Sequence, residues 1–146
     1  MQLHDLGFAD LNTAQLLALL RLRVDVFVVE QDCPYPEIDG LDDEPQTRHI
    51  FLAHDDHIMS YLRLLGSAEG ERIGRVVTAP NARGEGLSAR LIRHAMATSS
   101  GPWVLHAQAH LAAWYARFGF AISGTEFLED GILHVPMQAV SASKSP

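Results

Sequence analysis

Apolar and polar positions along the chain follow two periods, and the points where one gives way to the other mark out its elements. "QLHDLGF" reads as a short opening strand. In "AQLLALLRLRVDVFVVE" the apolar residues recur three and four apart, which predicts one amphipathic helix with Leu16, Leu19, Leu20, Val24 and Phe27 on its buried stripe. Asn12 or Thr13 stands where its N-cap is expected. The period is lost in "QDCPYPEIDGLDDEPQT", whose prolines and acids predict an irregular loop over residues 31–47. Loops of that length inside a domain are often functional. "RHIFLAH" and "HIMSYLRLLG" read as a hairpin turning at Asp55 and Asp56, and "RIGRVVTA" as a third central strand. The helical period returns after "APNARGEG", with Leu87, Leu91 and Ala95 on one stripe and Ser88, Ile92 and Met96 beside it. "WVLHAQ" is a further strand, "HLAAWYARFG" a short helix stopped at Gly119, and "FAISGTEF" and "ILHVPMQAV" pair across "LEDG". The order β-α, β-β-β, α-β-α-β-β predicts a mixed sheet covered by helices. One domain over residues 1–140 is expected, followed by a polar tail over 141–146.

Composition narrows the function classes. With 146 residues, 47% of them hydrophobic, the chain is long enough to bury a sizeable core. A net charge of −7 argues against a nucleic-acid surface, and no apolar run approaches the ~18 residues of a membrane span. Cys33 is the only cysteine and no basic-then-apolar leader opens the sequence, so a reducing cytoplasm is expected. Charge is segregated. Residues 24–47 carry eight acids and no Lys or Arg, whereas residues 83–94 set Arg83, Arg90, Arg93 and His94 against Glu85 alone. The first block suits a cation and the second an anion, and either also suits plain solvated surface.

Gly84 and Gly86 lie just before a predicted helix, where unpaired N–H groups and the helix dipole favour an anion. Glycines there let a phosphate approach without meeting a Cβ, and Arg83 adds a donor. No Gly-Lys-Ser/Thr follows, so this is not a Walker loop, and the third glycine of a dinucleotide fingerprint is missing. Taken alone, the motif fits a structural turn as well as an anion site.

The residues around it decide between the two. Arg83-Gly84-Glu85-Gly86-Leu87-Ser88 resembles the pyrophosphate loop of the GNAT superfamily of N-acetyltransferases: Gln or Arg, two residues, Gly, one residue, then Gly or Ala. Ser88 departs at the last position. Tyr115, followed by Gly119 and Phe120, is similar to the superfamily's second-half signature, with Gln108 where an Asn is common. "VFVVEQDCPYPEIDGLD", "AQAHL" and "EDGILHVPM" resemble the small bacterial ElaA-type branch, so the likeness spans nearly the whole chain. It implies the GNAT fold, an α+β, α/β/α layered domain with a mixed, mostly antiparallel sheet flanked by helices. It further implies acetyl-CoA as cosubstrate, its diphosphate held by residues 83–88. The pantetheine arm would lie along Val76, Val77 and Thr78, with Gln108 and His110 as further cofactor contacts and Tyr115 as the acid for the departing thiolate. Relatives that pair through their last strands allow a homodimer.

The acceptor expected is a cationic primary amine, drawn by the acidic loop, on a small molecule or peptide. An amine near pKa ~10.4 needs a base, for which Glu30, Asp39 and His106 are candidates. Cys33 is surrounded by carboxylates that do not activate a thiol. His106 and His110 straddle a strand-to-helix break, and neither they nor His49, His54 and His57 have ligand spacing, so no metal is expected. The competing reading is a non-catalytic acyl-CoA or peptide-binding module on the same fold.

Overall fold

A computed structural model describes residues 1–140; the expected tail lies outside the described residues. The strands are β1 (Gln2–Leu6), β2 (Arg48–His54), β3 (His57–Ser67), β4 (Gly70–Thr78), β5 (Trp103–Gln108), β6 (Ala121–Ile122), β7 (Phe127–Glu129) and β8 (Ile132–Ala139). The helices are α1 (Thr13–Arg23), α2 (Leu87–Ala97) and α3 (Ala112–Ala116). One sheet runs in the order β1-β2-β3-β4-β5-β8-β6, with β7 also paired to β8. Among the described residues β4 and β5 run parallel and the other pairs antiparallel. This is the mostly antiparallel mixed sheet between helices that the resemblance implies. No described helix is long and apolar enough to cross a membrane.

The layering follows from strand periodicity. Successive side chains of β2 point to opposite faces. Ile50 and Leu52 join Leu91 and Ile92 of α2 in one core, while Phe51 and Ala53 join Leu19 and Leu22 of α1 in another. β2 is therefore apolar at consecutive positions, because a helix covers each face.

The first helix differs from expectation. Asn12 caps it, accepting from the Gln15 amide at 2.7 Å, and the Gln15 side chain returns the bond at 2.9 Å. The α-helix then stops at Arg23, and Val24–Glu30 continue as a wider π-helical coil, closed by i to i−5 bonds such as Gln31 N–H to the Val26 carbonyl (3.1 Å). The β-branched residues Val24, Val26, Val28 and Val29 crowd an α-helical turn, and the wider coil relieves that crowding. The buried stripe keeps Leu19 of the predicted set and adds Leu22 and Val26, with Leu16, Leu20, Val24 and Phe27 only partly covered. Arg23 is buried with it, fully inaccessible to solvent.

Two irregularities in β4 open the sheet. Tyr61 faces Val77 and Arg63 faces Gly74, so Arg75 and Val76 together oppose Leu62, and Arg75 takes φ +51°. This is a β-bulge. On its other edge β4 pairs with β5 only at Glu71–Trp103 and Arg72–Val104, and the strands then diverge.

Candidate active site

Where β4 and β5 separate, a cleft of about 590 Å³ opens. Val26, Phe27 and Glu30 of the π-helical coil form one wall, Ile73 to Val76 of β4 another, and Leu105, His106 and Gln108 of β5 a third. Tyr115 of α3 and Glu129, Asp130 and His134 around the β7–β8 turn complete the lining. Diverging strands leave backbone groups on β4 free of a sheet partner, and an extended amide-bearing chain fits such an edge.

The glycine turn meets this cleft through Arg83. Gly84 and Gly86 adopt φ +84° and +74°, a left-handed region that strains any residue with a Cβ. Among the described residues no side chain caps α2, so the N–H groups of its first turn lack a side-chain partner at the cap. Leu87 is packed into the core by its side chain, so only its backbone can serve a ligand, whereas Glu85 is exposed. The Ser88 hydroxyl lies 2.6 Å from Thr78 Oγ1, which in turn lies 2.9 Å from Ser60 Oγ. That hydroxyl chain ties the start of α2 to β3 and β4, and uses the side chain at the position where the family has Gly or Ala.

Of the predicted strand residues, Val76 lines the cleft, Val77 is buried in the α1-side core, and Thr78 belongs to the hydroxyl chain. Gln108 and His110 line the cleft, Gln108 at 3.5 Å from the Gln31 side chain. Tyr115 is 7% exposed and packs against Trp114 (4.9 Å between centroids) and Phe120 (6.2 Å). Burial pushes its phenol up to about 12, so the hydroxyl is protonated and able to donate at neutral pH.

The carboxylates expected as bases are committed elsewhere. Glu30 lines the cleft, but Arg83 holds both its oxygens, at 2.7 and 2.8 Å, and keeps its pKa below the usual range. Asp39 does not reach the cleft. Burial alone would raise its pKa, yet bonds and charge from Arg63, the Leu41 amide and Arg75 outweigh that and hold it at about 2.

Asp39 is part of a larger device. Arg23 bonds Glu37 (2.8 Å) and Asp42 (2.6 Å), Arg63 bonds Asp39 (2.8 Å) and Asp42 (3.1 Å), and Arg75 bonds Glu37 (2.6 Å) and Asp39 (3.3 Å). Tyr35 donates to Glu37 and lies under the Arg75 guanidinium. The acidic loop is thus folded onto the sheet by three arginines, and its central charge is neutralised. This corrects the expectation that the loop attracts a cation. The sequence reading also missed Arg75, Tyr35, Glu129 and His134, which line the cleft. Only Gly74, an isolated glycine inside a strand pattern, signalled the bulge that turns Arg75. Cys33, buried, donates to the Asp130 carbonyl at 3.3 Å.

Residues 20–141 match the acetyltransferase (GNAT) domain family. The chain is 51% identical over 134 residues to a UPF0039 protein of Mycobacterium tuberculosis, covering 88% of this chain and 86% of that one. It is 41% identical over 142 residues to protein ElaA of Escherichia coli, covering 92% and 93%. Its fold superposes on a crystal structure of an acyl-CoA N-acyltransferase from Pseudomonas aeruginosa with a TM-score of 0.91 and 40% identity, over 96% of this chain and all of that one. The chain belongs to the GNAT acetyltransferase family, as an ElaA homologue.

Proposed function

We propose that the protein moves an acetyl group from acetyl-CoA directly to a primary amine of a small molecule or peptide. The observation that carries this reading is the cleft itself, where a splayed β4 edge, a glycine turn at the start of α2 and a buried phenol meet. The amides of residues 84–88 and the Arg83 guanidinium would hold the diphosphate. The freed edge of β4 near Val76 would pair with the pantetheine amides. The amine nitrogen attacks the thioester carbonyl, the C–S bond breaks, and Tyr115 donates a hydrogen bond to the sulfur as charge develops there.

Calorimetric titration with acetyl-CoA tests the cradle. Saturable one-to-one binding by the native protein, weakened at least tenfold in Gly86→Val with the fold retained by circular dichroism, is the expected outcome. A Cβ at φ +74° forces that turn out of shape while leaving the core alone. Absence of binding by the native protein would overturn the reading. Binding without turnover of any amine in a broad panel would favour the non-catalytic module.

A further inference from the structure

The cleft holds a cluster that the transfer reaction, as described, leaves unused. His106 stands on β5, Glu129 ends β7 and His134 lies on β8. Glu129 sits between the two rings: Oε1 is 3.2 Å from His106 Nδ1, and Oε2 is 3.6 Å from His134 Nε2. His134 is fixed from its far side, where Nδ1–H donates to the Ile132 carbonyl at 2.8 Å. Phe127 meets His106 edge-on at 4.9 Å and stacks on His134 at 6.0 Å, so one aromatic ring sets both imidazole planes.

A carboxylate that accepts from Nδ1 selects the tautomer in which Nε2 carries the lone pair. His106 Nε2 has no hydrogen-bond partner among the described residues, and its ring lines the same cleft as Tyr115. Glu30 and Asp39 are each held by arginine, whereas no Lys or Arg pairs with Glu129 or Asp130 among the described residues. This part of the cleft therefore offers a protonated amine both an attractive charge and a base.

We propose that Glu129 is the positioning residue of a His106–Glu129 dyad in which His106 Nε2 deprotonates the attacking ammonium. The proposal rests on the acetyl-transfer reading above. The ammonium gives one proton to Nε2, which passes it to solvent. The nitrogen lone pair then forms the C–N bond as the C–S bond breaks, and the second N–H proton ends on the departing sulfur. Amide, CoA thiol and one released proton balance the ammonium and thioester.

The test uses the full chain and the isosteric variant Glu129→Gln, whose half-exposed position spares the core. Nitrogen NMR of labelled histidine reads which His106 nitrogen carries the proton. The native protein should show Nδ1–H with Nε2 bare, and Glu129→Gln should lose that preference, because an amide can donate to Nδ1 as well as accept. In kinetics with the best amine of a panel, Glu129→Gln should lower kcat about 100-fold, Glu129→Asp should restore part of it, and KM for acetyl-CoA should stay unchanged. His106→Asn should be as slow, and the double variant no slower. A native protein that transfers acetyl while Glu129→Gln keeps its rate and tautomer overturns the dyad and leaves the transferase reading standing. A native protein that binds no acetyl-CoA overturns both.

Discussion

Arg23→Ala is expected to lower the unfolding free energy by about 3–5 kcal/mol, measured by urea denaturation. The guanidinium is fully buried and shared between Glu37 and Asp42, themselves 4% and 7% exposed. Removing it takes a partner from two buried carboxylates, leaving Glu37 to Arg75 and Asp42 to Arg63, a cost that burial sets, not the number of ion pairs. The contrast is Arg83→Ala: its pair with Glu30 is 44% exposed on both sides, and solvent screens such a pair so far that its loss should barely move stability. Two arginines that each bind a carboxylate through two oxygens should thus differ severalfold in their effect on stability.

The same cluster makes the native protein acid-sensitive in two steps. Burial lowers the His49 pKa, despite its bond to the Asp42 carbonyl at 2.9 Å. The unfolded chain protonates this histidine first, so stability starts to fall as pH drops below about 6.5. Asp39 and Asp42 have depressed folded values, Asp39 near 2. Their contribution is complete above the unfolded value of about 3.9 and is lost as pH falls toward 2. Urea midpoints measured from pH 7 to pH 3 should decline in that order, and in His49→Gln the earlier decline should vanish.

Tyr115→Phe is expected to lower kcat about 100- to 1,000-fold with acetyl-CoA affinity and thermal stability nearly unchanged, checked by steady-state kinetics and calorimetry. Stability should hold because the hydroxyl has no hydrogen-bond partner among the described residues, while the ring's contacts with Trp114 and Phe120 survive. Magnitudes also define its role. A phenol held near 12 facing a thiolate of about 8.5 would give up its proton at a cost of roughly 5 kcal/mol. Under the proposed function it would therefore stabilise the sulfur's developing charge by hydrogen bonding, and the proton that reaches sulfur would come from the amine.

What the sequence revealed follows from the range of its signals. The double-sided apolar run of β2 and the stripe of α2 are local patterns, and each maps onto its layer in the structure. The glycine turn is equally local, since positive φ at Gly84 and Gly86 is a property of the backbone there. The ion cluster is not local. Arg23, Arg63 and Arg75 come from a helix and two strands, and nothing in the loop's composition tells that its acids are already paired. The helix stripe misled for a related reason: Leu19, Leu22 and Val26 recur three and four apart just as the predicted set does, and in so apolar a segment only packing against the sheet selects between the two faces. Glu129 and His134 looked like turn and strand residues, because it takes the pairing of β8 with β5 and of β7 with β8 to bring them to His106.

The Glu30–Arg83 pair has a consequence for any anion that docks at the glycine turn. Arg83 already holds an internal ligand, tethered to the same chain and so present at a high effective concentration. An incoming diphosphate engages this arginine by exchange, expelling a carboxylate rather than filling an empty place. Two ionic contacts, one broken and one made, are both screened by salt, so their dependences partly cancel. Exchange would also free, within the cleft, a carboxylate that Arg83 had neutralised, so the charge of the site would change when the anion docks.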